Sequence, residues 1–197
     1  KHFLSDAIDI ALKNNYLGEN IQNTDFNFEI ELRIGAGSYV CGEETAMMES
    51  IEGRRGLVRS KPPLPAIKGL FGKPTLINNV VTLATIPALL SDQHSEFSKI
   101  GSGRSIGTMP FQLCGNIKNG GLIETRFDIT LKEMIENYGS GTKSNRPLHA
   151  IQIGGPLGIY LSSNMLNTSL TIESLDKLKG SIGHGGIIVF DDTVDMS

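Results

Sequence analysis

The chain has 197 residues, 18 of them basic and 21 acidic, for a net charge of −3, with 23 glycines, two cysteines and no tryptophan. The charges are interspersed and no apolar run approaches the ~20 residues of a spanning helix, which excludes nucleic acid, anionic surfaces and direct membrane insertion and leaves a cytoplasmic chain as the expectation. Cys41 and Cys114 cannot build a disulfide framework, a metal site or an iron–sulfur site by themselves, so no metal ligands are expected, and the length suits one large or two small domains.

Leu4, Ile8, Ala11 and Leu12 recur at helical spacing and Gly18 stops the run, which predicts a helix near residues 4–16. Phe28, Ile30, Leu32 and Ile34 then alternate with Glu29, Glu31 and Arg33, the pattern of a strand with one buried face. The run Gly35-Ala-Gly-Ser-Tyr-Val-Cys-Gly-Glu-Glu-Thr45 turns tightly into a helix over Glu43 to Glu52. Strand, glycine turn, helix is where α/β folds place ligands. The glycine spacing is not the dinucleotide fingerprint, however, and Glu43 and Glu44 occupy the helix start where a pyrophosphate needs bare N–H groups. The glutamate pair reads equally as a helix cap or as part of a site.

From Gly53 to Ile77, four prolines and several glycines exclude regular structure, while Leu64, Ile67, Leu70 and Phe71 are too apolar for a disordered linker. An ordered loop is expected, with Lys61 held by Pro62 and Pro63 or else solvated. Asn79 is placed to cap the next helix, and Thr82 shares its first turn. Neutral donors and free N–H groups there suit a phosphate, although capping alone also explains Asn79. Pro87 limits or kinks that helix.

The polar stretch 93–107 reads as a linker, with His94 a solvated residue. Phe111 to Gly115 and Leu122 to Phe127 flank Lys118-Asn-Gly-Gly121, a hairpin signal. Thr130 and Glu133 form a capping box before the stripe Leu131, Met134, Ile135 and Tyr138, and His149 to Ile153 is a third strand. The order ββαβ suggests a β-grasp-like module. Leu170 to Gly180 reads as a short helix. Ile187 to Phe190 reads as a strand covered on both faces and free to rejoin the first domain's sheet. Asp191, Asp192 and Asp195 read as a solvated strand end and His184 as a turn residue.

Gly35 to Thr45, Glu52-Gly-Arg-Arg-Gly56, Lys61-Pro-Pro-Leu-Pro65, Gly69-Leu-Phe-Gly-Lys-Pro-Thr75 and Asn78-Asn-Val80 occur in an order and spacing that resembles a known family. This is the NADH-binding, FMN-carrying flavoprotein subunit of respiratory complex I, with relatives in NAD-dependent formate dehydrogenases and NAD-reducing hydrogenases. The ending, residues 183–196, is most similar to formate dehydrogenase β subunits. The resemblance implies an α/β fold: part of a Rossmann-like FMN-binding domain over 1–92, a linker over 93–107, a small ubiquitin-like β-grasp (SLBB) α+β domain over 108–164, and a helix and strand over 165–197. Tyr39, Gly42, Glu43 and Glu44 match the segment bordering flavin and nicotinamide, with Glu43 and Glu44 as the catalytic pair. Lys61 matches a lysine on the nucleotide side. Asn78, Asn79 and Thr82 match the flavin phosphate end, and Val80 a backbone contact there. Leu64 stands where many relatives have Phe, leaving less aromatic surface for adenine.

The implied cofactors are FMN and NAD(H), with a 4Fe-4S cluster in a further domain of the parent and none here. The implied function is electron passage between NAD(H) and iron–sulfur clusters through FMN, in a formate dehydrogenase or an NADH:quinone oxidoreductase, beside other subunits that include an iron–sulfur subunit. On this resemblance the chain reads as a fragment, inactive alone, lacking the flavin loop and the cluster domain. A subunit-docking or ligand-binding module without catalysis is the competing reading.

Overall fold

The computed structural model describes residues 2–91 and 94–196, apart from the side chains of His94 and Ser95. The expectation for His94, and the Asp92–Gln93 junction, therefore lie outside the described residues. Contacts divide the chain into two compact units, residues 1–78 and 79–197, and each is described by itself. No helix among the described residues is long and apolar enough to cross a membrane.

In the first unit, α1 (His2–Lys13) forms as its periodicity predicts. The strand expected over 27–34 does not form. Its only ladder contact among the described residues is the bridge between Gly18 and Phe28, and Phe28, Ile30 and Ile34 are all at least half exposed. Alternation prescribes an extended backbone, but a strand also needs a partner for its N–H and C=O groups, and among the described residues only Phe28 finds one. The unit's fully buried apolar side chains are few, Ala46 and Met48 of α2 (Glu44–Ile51) among the described residues. Residues 53–77 stay irregular apart from a single 3₁₀ turn at Leu70–Gly72, as the prolines require.

The second unit begins with α3 (Val80–Leu90), which continues through Pro87, and the short α4 (His94–Phe97). The hairpin β1 (Gly101–Ser102) and β2 (Ser105–Ile106) follows. Five strands then form one sheet: β3 (Thr108–Gly115), β4 (Gly121–Arg126), β5 (Leu148–Ile153), β6 (Ile159–Ser162) and β7 (Gly186–Asp191), in the order β4-β3-β7-β5-β6. β3 and β7 run parallel and the other pairs antiparallel. The capping box is present: Thr130 Oγ1 accepts the Glu133 N–H at 3.2 Å and Glu133 accepts that of Thr130 at 2.9 Å, opening α5 (Leu131–Glu133), which runs on as a π-turn to Tyr138. α6 (Ile172–Lys177) starts at Thr171, whose hydroxyl accepts from Ser174.

Two expectations for the tail are corrected. The run 187–190 does not rejoin the first unit but takes the centre of the second unit's sheet, between β3 and β5. Nor is Asp191 a solvated end: it is fully buried, and its carboxylate accepts from the Ser144 hydroxyl at 2.6 Å and the Thr193 hydroxyl at 2.5 Å. Those hydrogen bonds hold its carboxyl below the usual range.

Sheet alternation sorts the side chains. Phe111, Leu113, Ile151, Ile153, Ile187 and Val189 are buried on one face, against Leu131, Met134, Leu170 and Leu175. The opposite face carries Gln112, Cys114, Gln152, Tyr160 and Ile188, which are aligned across four strands by the pairing of Cys114 with Ile188, Ile188 with Gln152 and Gln152 with Tyr160.

Candidate functional site

The glycine run of the first unit ends in a 3₁₀ turn, Tyr39–Gly42, and Glu43 then caps α2. One Glu43 oxygen accepts the N–H groups of Thr45 and Ala46, each at 2.9 Å, and the Thr45 hydroxyl at 2.5 Å. A β-region backbone at the cap, followed by a carboxylate that satisfies two orphan donors, is the arrangement a helix N-terminus favours. Burial pushes the Glu43 carboxyl up, but the Thr45 hydroxyl, the two N–H donors and Lys61 outweigh it, so its pKa is lowered. The capping reading of Glu43 is therefore realised, and its second oxygen is left facing Lys61 Nζ at 3.6 Å.

Lys61 bonds Glu44, 17 positions away in sequence, which gathers Glu43, Glu44 and Lys61 into one cluster. The bond to Glu44 raises the lysine's pKa. Both side chains remain more than a third exposed, so the pair orients more than it stabilises. Tyr39, in the 3₁₀ turn before the cap, is exposed. A Cβ built on Gly35, Gly37 or Gly42 would meet no heavy atom of the chain within 4 Å. Packing within the chain does not demand glycine at 42, and open space above that backbone admits the close approach of a flat ring.

A second cluster was not singled out from the sequence. Thr45, 2 % exposed, also accepts the Arg59 N–H at 2.9 Å. The Arg59 guanidinium donates to Glu49 at 2.5 Å, to Glu52 at 2.9 Å and to the Gly69 carbonyl at 3.1 Å, and Glu52 accepts the Phe71 N–H at 2.7 Å. Arg54 closes the group on Glu49 and Glu52. These pairs clamp the proline loop onto α2 and frame a cavity of about 600 Å³ lined by Met48, Arg59, Pro63, Lys68 and Phe71. Glu49 and Glu52, three apart on one helix face with arginines following, were the available signal.

Hydrogen bonds from Arg54 and Arg59 hold Glu49 down at about 2, and Glu52 is lowered by Arg59 and the Phe71 N–H. Folded values below the ordinary 4.5 mean that the clamp is at full strength above that pH and is lost as pH falls through the lowered values. The Phe71 amide proton should therefore titrate with a midpoint below pH 4.5 in an NMR series. A midpoint at or above that value contradicts the clamp.

Of the other expected residues, Asn78 is exposed at the end of the first unit. Asn79, Val80 and Thr82 belong to the second unit and lie exposed at the N-terminus of α3. Asn79 Oδ1 accepts the Val81 N–H at 2.8 Å, so the capping reading holds here too. Among the described residues the Val80 and Thr82 N–H groups and the Thr82 hydroxyl have no partner in the chain. Unpaired donors in the first turn of an 11-residue helix suit an anion such as a flavin phosphate.

Residues 4–88 match the family described as the Nuo51 FMN-binding domain. The chain is 46% identical over 189 residues to the NADP-reducing hydrogenase subunit HndC of Solidesulfovibrio fructosivorans, covering 96% of this chain and 39% of that protein. It is 38% identical over 193 residues to the F subunit of the NADH-quinone oxidoreductase of Escherichia coli (strain K12), covering 98% and 43%. A crystal structure of an NAD+-reducing NiFe-hydrogenase in the H2-reduced state superposes with a TM-score of 0.75 at 31% identity, over 86% of this chain and 28% of that one. The chain thus spans about two fifths of the length of these curated relatives.

Proposed function

We propose, for a chain whose residues 4–88 match the Nuo51 FMN-binding domain family, that it forms part of a subunit passing electrons between NAD(H) and iron–sulfur clusters through FMN. The observation that carries the reading is the open glycine turn beside the Glu43, Glu44 and Lys61 cluster, inside the segment that matches an FMN-binding domain. When bound, FMN supplies two-electron hydride chemistry joined to one-electron release. The chain's own residues bind and orient. The exposed Tyr39 and the bare backbone at Gly42 border the flat rings. Glu44 accepts hydrogen bonds from a ribose hydroxyl or a carboxamide, steered by Lys61, while Glu43 keeps the helix start rigid beneath it. The resemblance assigns Asn78, Asn79, Val80 and Thr82 to a flavin phosphate, and within the second unit taken by itself the free N–H groups of Val80 and Thr82 and the Thr82 hydroxyl support that assignment.

The same reading assigns residues 1–92 to the flavin domain, 93–107 to a linker, 108–164 to a β-grasp (SLBB) module and 165–197 to the passage toward a cluster-bearing domain. Within 108–164 a hairpin and a following helix support the β-grasp description, although the sheet takes its central strand, β7 (Gly186–Asp191), from the 165–197 segment. The closing segment 183–196 is most similar to formate dehydrogenase β subunits, and the proposed parent is a cytoplasmic formate dehydrogenase or NADH:quinone oxidoreductase with an iron–sulfur subunit as partner.

The native assembly containing this chain should reduce an artificial acceptor with NADH only when loaded with FMN. Glu44→Gln should lower kcat/KM for that reaction about tenfold, the worth of one charge-assisted hydrogen bond. Unchanged turnover together with unchanged nucleotide affinity would sink the role given to Glu44.

A further inference from the structure

The second unit carries a cavity that none of these roles uses. It lies on the sheet face opposite the core, has a volume of about 440 Å³, and is lined by Gln112, Cys114, Gln152, Tyr160, His184 and Gly186 among others. That volume is within the range of small-molecule sites. Its most informative member is Gln152, 7 % exposed. The other buried polar side chains among the described residues, Thr45, Ser105, Thr125, Thr171 and Asp191, all have hydrogen-bond partners. Gln152 has none within the chain, and none of its side-chain atoms is sealed from the cavity. Its polar atoms are open to solvent, so water pairs them in the free chain, and a ligand edge carrying both a donor and an acceptor can take that water's place.

The walls define that group. No described lining residue carries a fixed charge, which disfavours ions and phosphates. Tyr160 presents a half-exposed ring backed by Phe190, centroids 6.1 Å apart, a platform for a flat partner. Gly186 leaves the floor low, since a Cβ there would lie 2.4 Å from the His184 ring, itself held by the Gly186 N–H on Nδ1 at 3.3 Å. Gln112, on β3 opposite Gly186, adds a second amide. An amide offers an acceptor and donors side by side, and its complement is an edge that carries both.

We infer that this face binds a neutral, planar heterocycle with adjacent hydrogen-bond donor and acceptor, of nucleobase to nucleoside size, stacked on Tyr160 and paired edge-on with Gln152. The site stands on the second unit alone and is independent of the flavin reading.

The test is NMR titration of the full chain with adenosine, inosine and uridine, following the side-chain NH2 signals of Gln152 and Gln112. At least one nucleoside should move the Gln152 pair saturably, and Gln152→Leu should weaken that binding at least tenfold while backbone amide signals of the sheet stay in place. Should Gln152→Leu not fold, Gln112→Leu at an exposed position should weaken the same binding severalfold. An amide that merely holds water gives no saturable shift with any of the three up to about 10 mM, the weak end of specific binding, and that result overturns the assignment. Undiminished affinity in Gln152→Leu, or in Gln112→Leu if the first variant does not fold, overturns it equally.

Discussion

Ile187→Ala should destabilise the second unit by about 2–5 kcal/mol, while Ile188→Ala one position on costs only about 1 kcal/mol or less. The two residues share a strand and differ only in face. Ile187 is fully buried against Phe111 and Leu113 on one side of the sheet and the α5 stripe on the other side of the core, whereas Ile188 is half-buried on the open face. Removing three carbons from the first leaves a cavity that central strands cannot collapse around, because β3 and β5 are bonded to either edge of β7. The second loses only partial burial. Hydrogen-exchange protection of β3 and β5 amides reads the difference within the second unit, without averaging over the thinly packed first one. Equal costs for the two variants would mean that β7 does not sit at the sheet's centre.

That strand also marks what a sequence conveys. The apolar run Ile187 to Phe190 announces a covered strand, but its neighbours, β3 and β5, lie more than 30 residues upstream, and nothing in a local pattern says which edges it will occupy. Short-range features were legible for the converse reason. The turn Lys118 to Gly121, the Thr130 and Glu133 capping box and the Glu43 cap each involve partners within a few residues, so composition alone specifies them. The strand expected at 27–34 has the right alternation and, among the described residues, a partner only at Phe28. Asp191 looked solvated because Ser144, which holds it, is 47 positions away.

The candidate site divides in the same way. Glu43 and Glu44 were visible as a pair, but their link to Lys61 passes through a proline loop whose path no periodicity encodes. The Arg59 clamp was missed because arginines in an irregular segment read as solvated charge until the loop folds back on Glu49 and Glu52. Residue physics leaves Lys61 either held or solvated and the resemblance places it on the nucleotide side; within the chain it pairs with Glu44.

Gly42→Val tests whether the open space at the glycine turn is there for a ligand. Gly42 ends the 3₁₀ turn with a negative φ, so a β-carbon adds no left-handed strain, and built in place it meets nothing within 4 Å. Valine should therefore leave the melting temperature of the chain nearly unchanged, the outcome for a surface substitution without a steric or polar conflict. Its two methyl groups do occupy the volume a ring would use. Displacing one of two stacked reactants by about 1 Å costs on the order of 100-fold in rate, so FMN-dependent NADH oxidation in the native assembly should fall by about that factor or more. The combination is diagnostic: a glycine kept for folding would lose stability first, whereas one kept for a ligand loses turnover with the fold intact. A Gly42→Val protein that is stable and retains full activity would remove the ring from this turn and leave Glu43 and Lys61 as a helix cap and its counter-ion.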